Sequence, residues 1–313
     1  MGRKGMQLNN EIAGSLDQHL EEAGYGGKIV AIEHLGELES EIMGRRRNGL
    51  LDPELYEAYL ASFDFICHRK FKNARSLIIV SAPQPQVRLF FVWQEQAYPV
   101  IIPPTYSSIT DKKVADLVKT HLNPRGYRLQ KVRLPEKLLA VRSGLARYGK
   151  NNITYVAGMG SFHRPVAFIS DAPCTQDSWG EPTMLDLCES CKACGKACPT
   201  DAIGSDRFQL HAERCLTFHN ERSNDFPKWL SPAWHNSLVG CMICQRVCPA
   251  NKDVIKWIEA GATFDGKETA LILNRVPDDR LPPATLDKLK KLDIMEYYPV
   301  LARNLRALIE KSV

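Results

Sequence analysis

The chain has 313 residues, enough for one large domain or two ordinary ones, and 44% are hydrophobic, which suits a protein with a sizeable buried core. Its formal charge of +5 is a small excess of 41 basic over 36 acidic residues. That excess leaves no nucleic-acid footprint by itself, and it permits an anionic substrate without requiring one. Arg3 and Lys4 are followed by no apolar run, and no stretch approaches the ~20 apolar residues of a membrane span. The expectation is a cytoplasmic protein with no membrane partner.

In chain order, Asp52-Pro53 reads as an N-cap and first-turn pair opening a helix through Leu55, Tyr59 and Leu60. Leu77 to Val80, Val87 to Trp93 and Tyr98 to Ile102 are apolar, β-branched or aromatic runs separated by prolines, the pattern of buried strands. Val114, Leu117, Val118 and Leu122 keep helical spacing behind a capping Thr110, and Pro165 to Ser170 reads as a further strand. These elements predict an α/β sandwich with a sheet in its middle. Later helices are expected around Val254 to Ile258 and from Tyr298 to Lys311. Near Met184 the composition turns to Cys, Gly, Pro and charge, too poor in apolar groups to make a core without metal. The expected organisation is therefore an α/β domain over 1–180, a cluster-binding domain over 181–252 and a C-terminal helical segment over 253–313.

Eight of the ten cysteines lie between Cys188 and Cys248. A disulfide framework belongs to short secreted chains, so such clustering points to metal. Cys188-x2-Cys191-x2-Cys194-x3-Cys198-Pro199 matches the bacterial two-cluster ferredoxin spacing, in which the fourth cysteine ligates the other cluster. The second group is Cys215, then Cys241-x2-Cys244-x3-Cys248-Pro249. The expected exchange puts Cys188, Cys191, Cys194 and Cys248 on one [4Fe–4S] cluster and Cys198, Cys215, Cys241 and Cys244 on the other. A pair of zinc sites is the alternative, since C-x2-C is also zinc spacing, but zinc requires neither the triple spacing nor a terminal Cys-Pro twice. Cys67, beside Phe63, Phe65 and Ile66, reads as a buried thiol; Cys174 receives no role.

A free ferredoxin needs few residues beyond these motifs, yet about 180 precede them. No phosphate-binding loop is present, and Gly24-Tyr25-Gly26-Gly27 lacks dinucleotide-binding spacing. The stretch Glu136 to Asn151, with Ser143-Gly144-Leu145-Ala146-Arg147-Tyr148-Gly149-Lys150 at its centre, resembles the ERPLAEKAGLGWxGK region of epoxyqueuosine reductases. Gly158 to Phe162, Arg214 to Phe218, Gly240 to Lys252 and Ala302 to Leu305 are similar to further segments of that family, so the resemblance spans about 75 to 310. It implies a cobalamin-dependent reductase related to the reductive dehalogenases. A nitroreductase-like α/β domain would hold base-off cobalamin beside a two-[4Fe–4S] ferredoxin-like domain, and low-valent cobalt would reduce an epoxide in a tRNA nucleoside. Carried over by position, the cobalamin-contacting residues are Gly149, Lys150, Gly160, Ser161, Phe218, Cys241 and Met242. Turn glycines and a solvated lysine are their ordinary alternatives.

The sequence departs from the family where the substrate is handled. Its proton-donating aspartate precedes the ERPLAEK region, and ungapped counting puts Gln130 there, an amide that cannot deliver a proton as a carboxylic acid does. Where the family has RGRDYH stands Pro103-Pro104-Thr105-Tyr106-Ser107; Tyr106 and Tyr127 are candidate acids, with half-buried packing as the alternative. Arg45-Arg46-Arg47 reads as a solvated run. The leading expectation is an oxidoreductase resembling epoxyqueuosine reductase, with tRNA as a partner and an external low-potential electron donor. A ferredoxin-like carrier or activator for another corrinoid protein is the alternative. Reductive dehalogenation stands third, because those enzymes usually carry an export signal.

Overall fold

The computed structural model describes residues 16–311, so Arg3 and Lys4 lie outside it. The described residues form nine strands: β1 (Gly26–Ala31), β2 (Ser76–Pro83), β3 (Gln86–Trp93), β4 (Gln96–Ile102), β5 (Leu129–Lys131), β6 (Arg147–Tyr148), β7 (Thr154–Tyr155), β8 (His163–Ser170) and β9 (Ile258–Phe264). Contacts divide the chain into two units, Met1–Pro83 with Ile109–Cys191 and Gln84–Ser108 with Lys192–Val313. The division is not collinear with the sequence, because β3 in the first third of the chain pairs in parallel with β9.

In the first unit an antiparallel sheet runs β1-β2-β8-β5. Ile78, Val80, Val166 and Phe168 alternate to one face and pack against Val114, Val118 and Leu122 of the helix Ile109–Leu122. Leu77, Ile79, Ala167 and Ile169 take the opposite alternation and are fully buried, and the helix Glu136–Arg142 packs against the same two central strands. A sheet covered on both faces by helices fits the expected sandwich, but of the hydrophobic runs only Leu77 to Val80 and Pro165 to Ser170 enter it; Val87 to Trp93 and Tyr98 to Ile102, expected in the same domain, join the second unit's sheet instead. Asp52 caps the short helix Pro53–Leu55, accepting from Leu55 N at 2.9 Å, and Cys67 is buried as expected.

The second unit is built on a sheet ordered β4-β3-β9. Phe91 and Phe264 stack at 4.7 Å in its core, with Ile272, Leu289, Leu301 and Leu305. The parallel register of β3 and β9 shifts between Arg88 and Phe90, and Gly261 sits against Val87 and Leu89 where a side chain would collide. The helix expected around Val254 to Ile258 is absent: residues 252–256 are turns, and Ile258 opens β9. Short-range apolar spacing could not reveal a strand whose hydrogen-bonding partner lies some 170 residues earlier. The closing helix Tyr298–Glu310 is present, and its buried Asn304 donates to Asn220 O at 2.8 Å and Leu238 O at 2.9 Å.

A charge cluster sits at the edge of the first sheet. Buried Asp111 receives Arg164 Nη2 at 3.0 Å and also pairs with Arg164 Nε and Lys131. Burial pushes its carboxyl up, but these hydrogen bonds outweigh burial and hold it below the usual range. Nearby Glu136 goes the other way: burial, reinforced by Asp111 and opposed by Arg164, Lys131 and the Ala167 amide, raises it to about 7. Because the native state holds this proton more tightly than the unfolded chain, the resulting stabilisation is lost as pH rises from about 4.5 through 7. Asp111 responds only below its ordinary value, so the two windows do not overlap. Denaturant unfolding at pH 5 and pH 8 should therefore show the wild type losing about 1–3 kcal/mol relative to Glu136→Gln over that interval. Parallel pH dependence in the two proteins would contradict this assignment.

Candidate functional site

The cysteine segments are folded as two short helical hooks. Cys188 closes a 3-10 turn, Cys194 lies in the helix Ala193–Ala197, and Cys198 N bonds Cys194 O at 3.1 Å before Pro199 turns the chain away. In the second hook Gly240 adopts φ +63°, Cys241 follows, Cys244 lies in the helix Ile243–Arg246, and Cys248 precedes the turn Pro249–Asn251. The two hook helices pack together. Asn251, fully buried, donates to Gln245 O at 2.9 Å and ties the Cys-Pro turn back onto its helix. A structural reason therefore exists for Asn251, which the cysteine spacing alone left unexplained.

Cys188 and Cys191 close the first unit, whereas the other six cysteines of the motifs lie in the second. Cys198, Cys215 and Cys241 share one neighbourhood: burial and then the charge of Cys241 push Cys215 up to about 11, and burial together with Cys198 raises Cys241. These are three of the four thiols expected on one cluster. Among the described residues no three of His, Cys, Asp and Glu close around a single-ion centre. An all-thiol donor set in a low-dielectric pocket fits iron–sulfur clusters, since metal bonds stabilise the thiolates that burial alone opposes.

Asn236, which sequence reasoning missed, fixes the second hook. Its Nδ2 donates to Cys241 Sγ at 3.2 Å and Trp234 O at 3.1 Å, while its Oδ1 accepts from Met242 N at 2.8 Å. Nothing in the local sequence marks it, because the contact spans a loop of no regular pattern. Met242 is fully buried, and Phe218 is buried on the helix Leu216–Glu221 beneath the Arg222 guanidinium, 4.6 Å from its ring centre.

Tyr106 enters the same part of the second unit. A Cβ on Gly240 would overlap its hydroxyl, so glycine is needed both for close approach and for positive φ. Its hydroxyl donates to Glu221, and its ring meets Tyr297 edge-on at 5.5 Å. Burial, with Glu221 next, raises this phenol well above its ordinary value. Tyr106, Cys215, Cys241 and Met242 are thus gathered around Gly240.

Gln130 stands apart from that group, exposed on β5 opposite Ile169. Gly149 and Lys150 turn the chain between β6 and β7; a Cβ on Gly149 would lie 2.5 Å from Asn151 Oδ1 and from the Tyr155 ring. Gly160, at φ +55°, exchanges two 2.9 Å backbone bonds with Val156, and Ser161 beside it is buried. These four residues flank β7 on either side. Arg45 and Arg46 are paired with Glu41 and Glu57.

Residues 187–251 match the family described as a 4Fe-4S double cluster binding domain, a span containing all eight clustered cysteines. Epoxyqueuosine reductase from Cyclobacterium marinum is 35% identical over 118 residues, 37% of each chain. The Bacillus subtilis enzyme is 34% identical over 119 residues, 38% of this chain and 30% of its own. The sequence match thus spans about a third of these curated relatives. Over a greater length the fold matches the solved epoxyqueuosine reductase of Streptococcus thermophilus, with TM-score 0.67 and 16% identity across 96% of this chain and 82% of that one. A solved epoxyqueuosine reductase with an epoxyqueuosine-modified tRNA stem loop gives TM-score 0.63 at 18% identity, covering 97% and 81%. No helix among the described residues is long and apolar enough to cross a membrane. The chain resembles epoxyqueuosine reductases in sequence and has their fold, built around a 4Fe–4S double cluster binding domain.

Proposed function

We propose that this chain is a cobalamin-dependent iron–sulfur reductase that removes oxygen from an electrophilic nucleoside, epoxyqueuosine in tRNA being the substrate its relatives indicate. The observation that carries the reading is a double cluster domain within a chain that has the epoxyqueuosine reductase fold. When bound, cobalamin supplies a strongly reducing cobalt centre, and an epoxide opened by two electrons needs a proton for its departing oxygen. The residues that the family resemblance assigns to hold it are Gly149, Lys150, Gly160, Ser161, Phe218, Cys241 and Met242.

In the first unit the close approach at Gly149 is taken up by Asn151 and Tyr155 and Ser161 is buried, so the assignment of these residues rests on the family resemblance. In the second, Met242 is fully buried next to Cys241 and Phe218 is buried on the helix Leu216–Glu221, so their assignment rests on the family resemblance. Cys188, Cys191, Cys194 and Cys248 are assigned to one cluster and Cys198, Cys215, Cys241 and Cys244 to the other. For the proton, Gln130 has no acidic hydrogen, whereas Tyr106 Oη holds one against Glu221. A phenol held above its ordinary value gives that proton only to a strongly basic centre, as an opening epoxide oxygen becomes. The carrier reading draws on Gln130 alone; the gathering of Tyr106 around the Cys241 hook favours a chain with its own chemistry.

Anaerobically purified protein supplied with cobalamin should retain a corrinoid absorption band and convert epoxyqueuosine to queuosine in tRNA from cells blocked at that step. A cluster- and cobalamin-loaded protein that leaves this tRNA unchanged would exclude the substrate, and one that retains no corrinoid would exclude the cofactor. Tyr106→Phe should lower the single-turnover rate about a hundredfold with cluster and corrinoid spectra intact. An unchanged rate would remove Tyr106 as the acid.

A further inference from the structure

A cavity of about 540 Å³ opens on the second unit, lined by Arg88, Phe90, His235, Asn236, Arg246 and Lys311 among others. Its position follows from strand alternation. Val87, Leu89 and Phe91 of β3 turn toward the core, so Arg88 and Phe90 face outward beside their β4 partners Ile101 and Pro99. Leu238 N bonds Ile101 O at 2.8 Å, which lays the 235–241 segment along the β4 edge and brings Asn236 to the cavity wall. The end of the closing helix contributes Lys311, whose Nζ donates to His235 O at 2.9 Å.

Three cations and no carboxylate line this cavity. Among the described residues Arg246 donates to a backbone carbonyl, Asn236 O at 3.4 Å, and interacts electrostatically with Cys241, while Lys311 likewise meets a carbonyl. Among the described residues Arg88 has no acidic partner. His235 is fully buried with neither ring nitrogen hydrogen-bonded, and burial, then Arg303 and Lys311, hold it down to about 4, so it stays neutral near pH 7. Phe90 is 37% exposed, an aromatic on the rim of a positive surface. The wall is also one side chain from the assigned cluster: Asn236 lines the cavity and holds Cys241 Sγ at 3.2 Å.

Resting on the assignment of Cys241 as a cluster ligand, we infer that this cavity is the docking surface of an acidic electron-transfer protein, which delivers single electrons to the cluster beside Cys241. Charge complementarity selects that partner, because redox encounters are small, transient and steered electrostatically. Asn236 shortens the route by standing between the surface and the thiolate. The transfer balances as one electron lost by the donor's reduced centre and one gained by the cluster, with no atom moved.

Stopped-flow mixing of the cluster-loaded protein with a small acidic [2Fe–2S] ferredoxin, reduced beforehand, reads this directly. Arg88→Glu and Lys311→Glu should each lower the second-order rate about tenfold, and raising salt to about 0.5 M should do the same to the wild type. Reduction by photoreduced deazaflavin, small and neutral, should be unchanged in both variants, which separates lost docking from misfolding. If either reversal impairs cluster loading, Arg88→Gln and Lys311→Gln give the same comparison with a smaller expected fall. Ferredoxin rates insensitive to salt and to these substitutions would overturn the inference. So would an unchanged ferredoxin rate accompanied by weakened tRNA retention on filters, which would make the cavity an RNA surface. A wild type with no iron–sulfur absorption would instead overturn the cluster assignment itself.

Discussion

Burial of thiols is the constraint around which the second unit is arranged, Arg246 being the cation that opposes it at Cys241. Cys215 and Cys241 are pushed toward the protonated form by burial and by a neighbouring thiol, Cys241 acting on Cys215 and Cys198 on Cys241, a state that metal ligation reverses by converting thiol to thiolate. A pocket of this kind is costly as a piece of ordinary core and favourable as a cluster cage. The surrounding chain gives it rigidity through buried amides rather than apolar bulk. Asn251 ties Cys248 to its hook, Asn236 holds both Cys241 and Met242, and Asn304 joins Asn220 to Leu238 from the closing helix. Asn220 in turn donates to Gly240 O at 2.8 Å, so the amide network ends on the residue that precedes Cys241.

Gly240 shows how one residue type satisfies two demands. Its positive φ turns the chain into the second hook, and its missing Cβ admits the Tyr106 hydroxyl. Replacing it with alanine would strain the backbone and displace the tyrosine together. The pairing of Tyr106 with Glu221 then leaves a proton held in the same place as the hook.

What was legible in the chain was whatever depends on local spacing. The cysteine intervals announced the double cluster domain, and the apolar, β-branched or aromatic runs announced β2, β3, β4 and β8. The segment Val254 to Ile258 was misread because β9 owes its conformation to β3, a partner remote in sequence, with Gly261 allowing the close approach. Asn236 and Glu221 were invisible for the same reason: each acts through one contact across a loop. Glu136 was noticed only as the first letter of a family segment, yet its surroundings of Asp111, Arg164 and Lys131 set its proton affinity, and those arrive from three separate elements.

The cluster cage is the claim on which function, electron entry and the role of Tyr106 all rest. Mössbauer and EPR spectra of anaerobically purified protein test it most directly. The account predicts two [4Fe–4S] clusters per chain, about eight irons, with the reduced centres close enough for their spins to interact. Zinc in the thiol sites, or a single cluster in fully loaded protein, would contradict it.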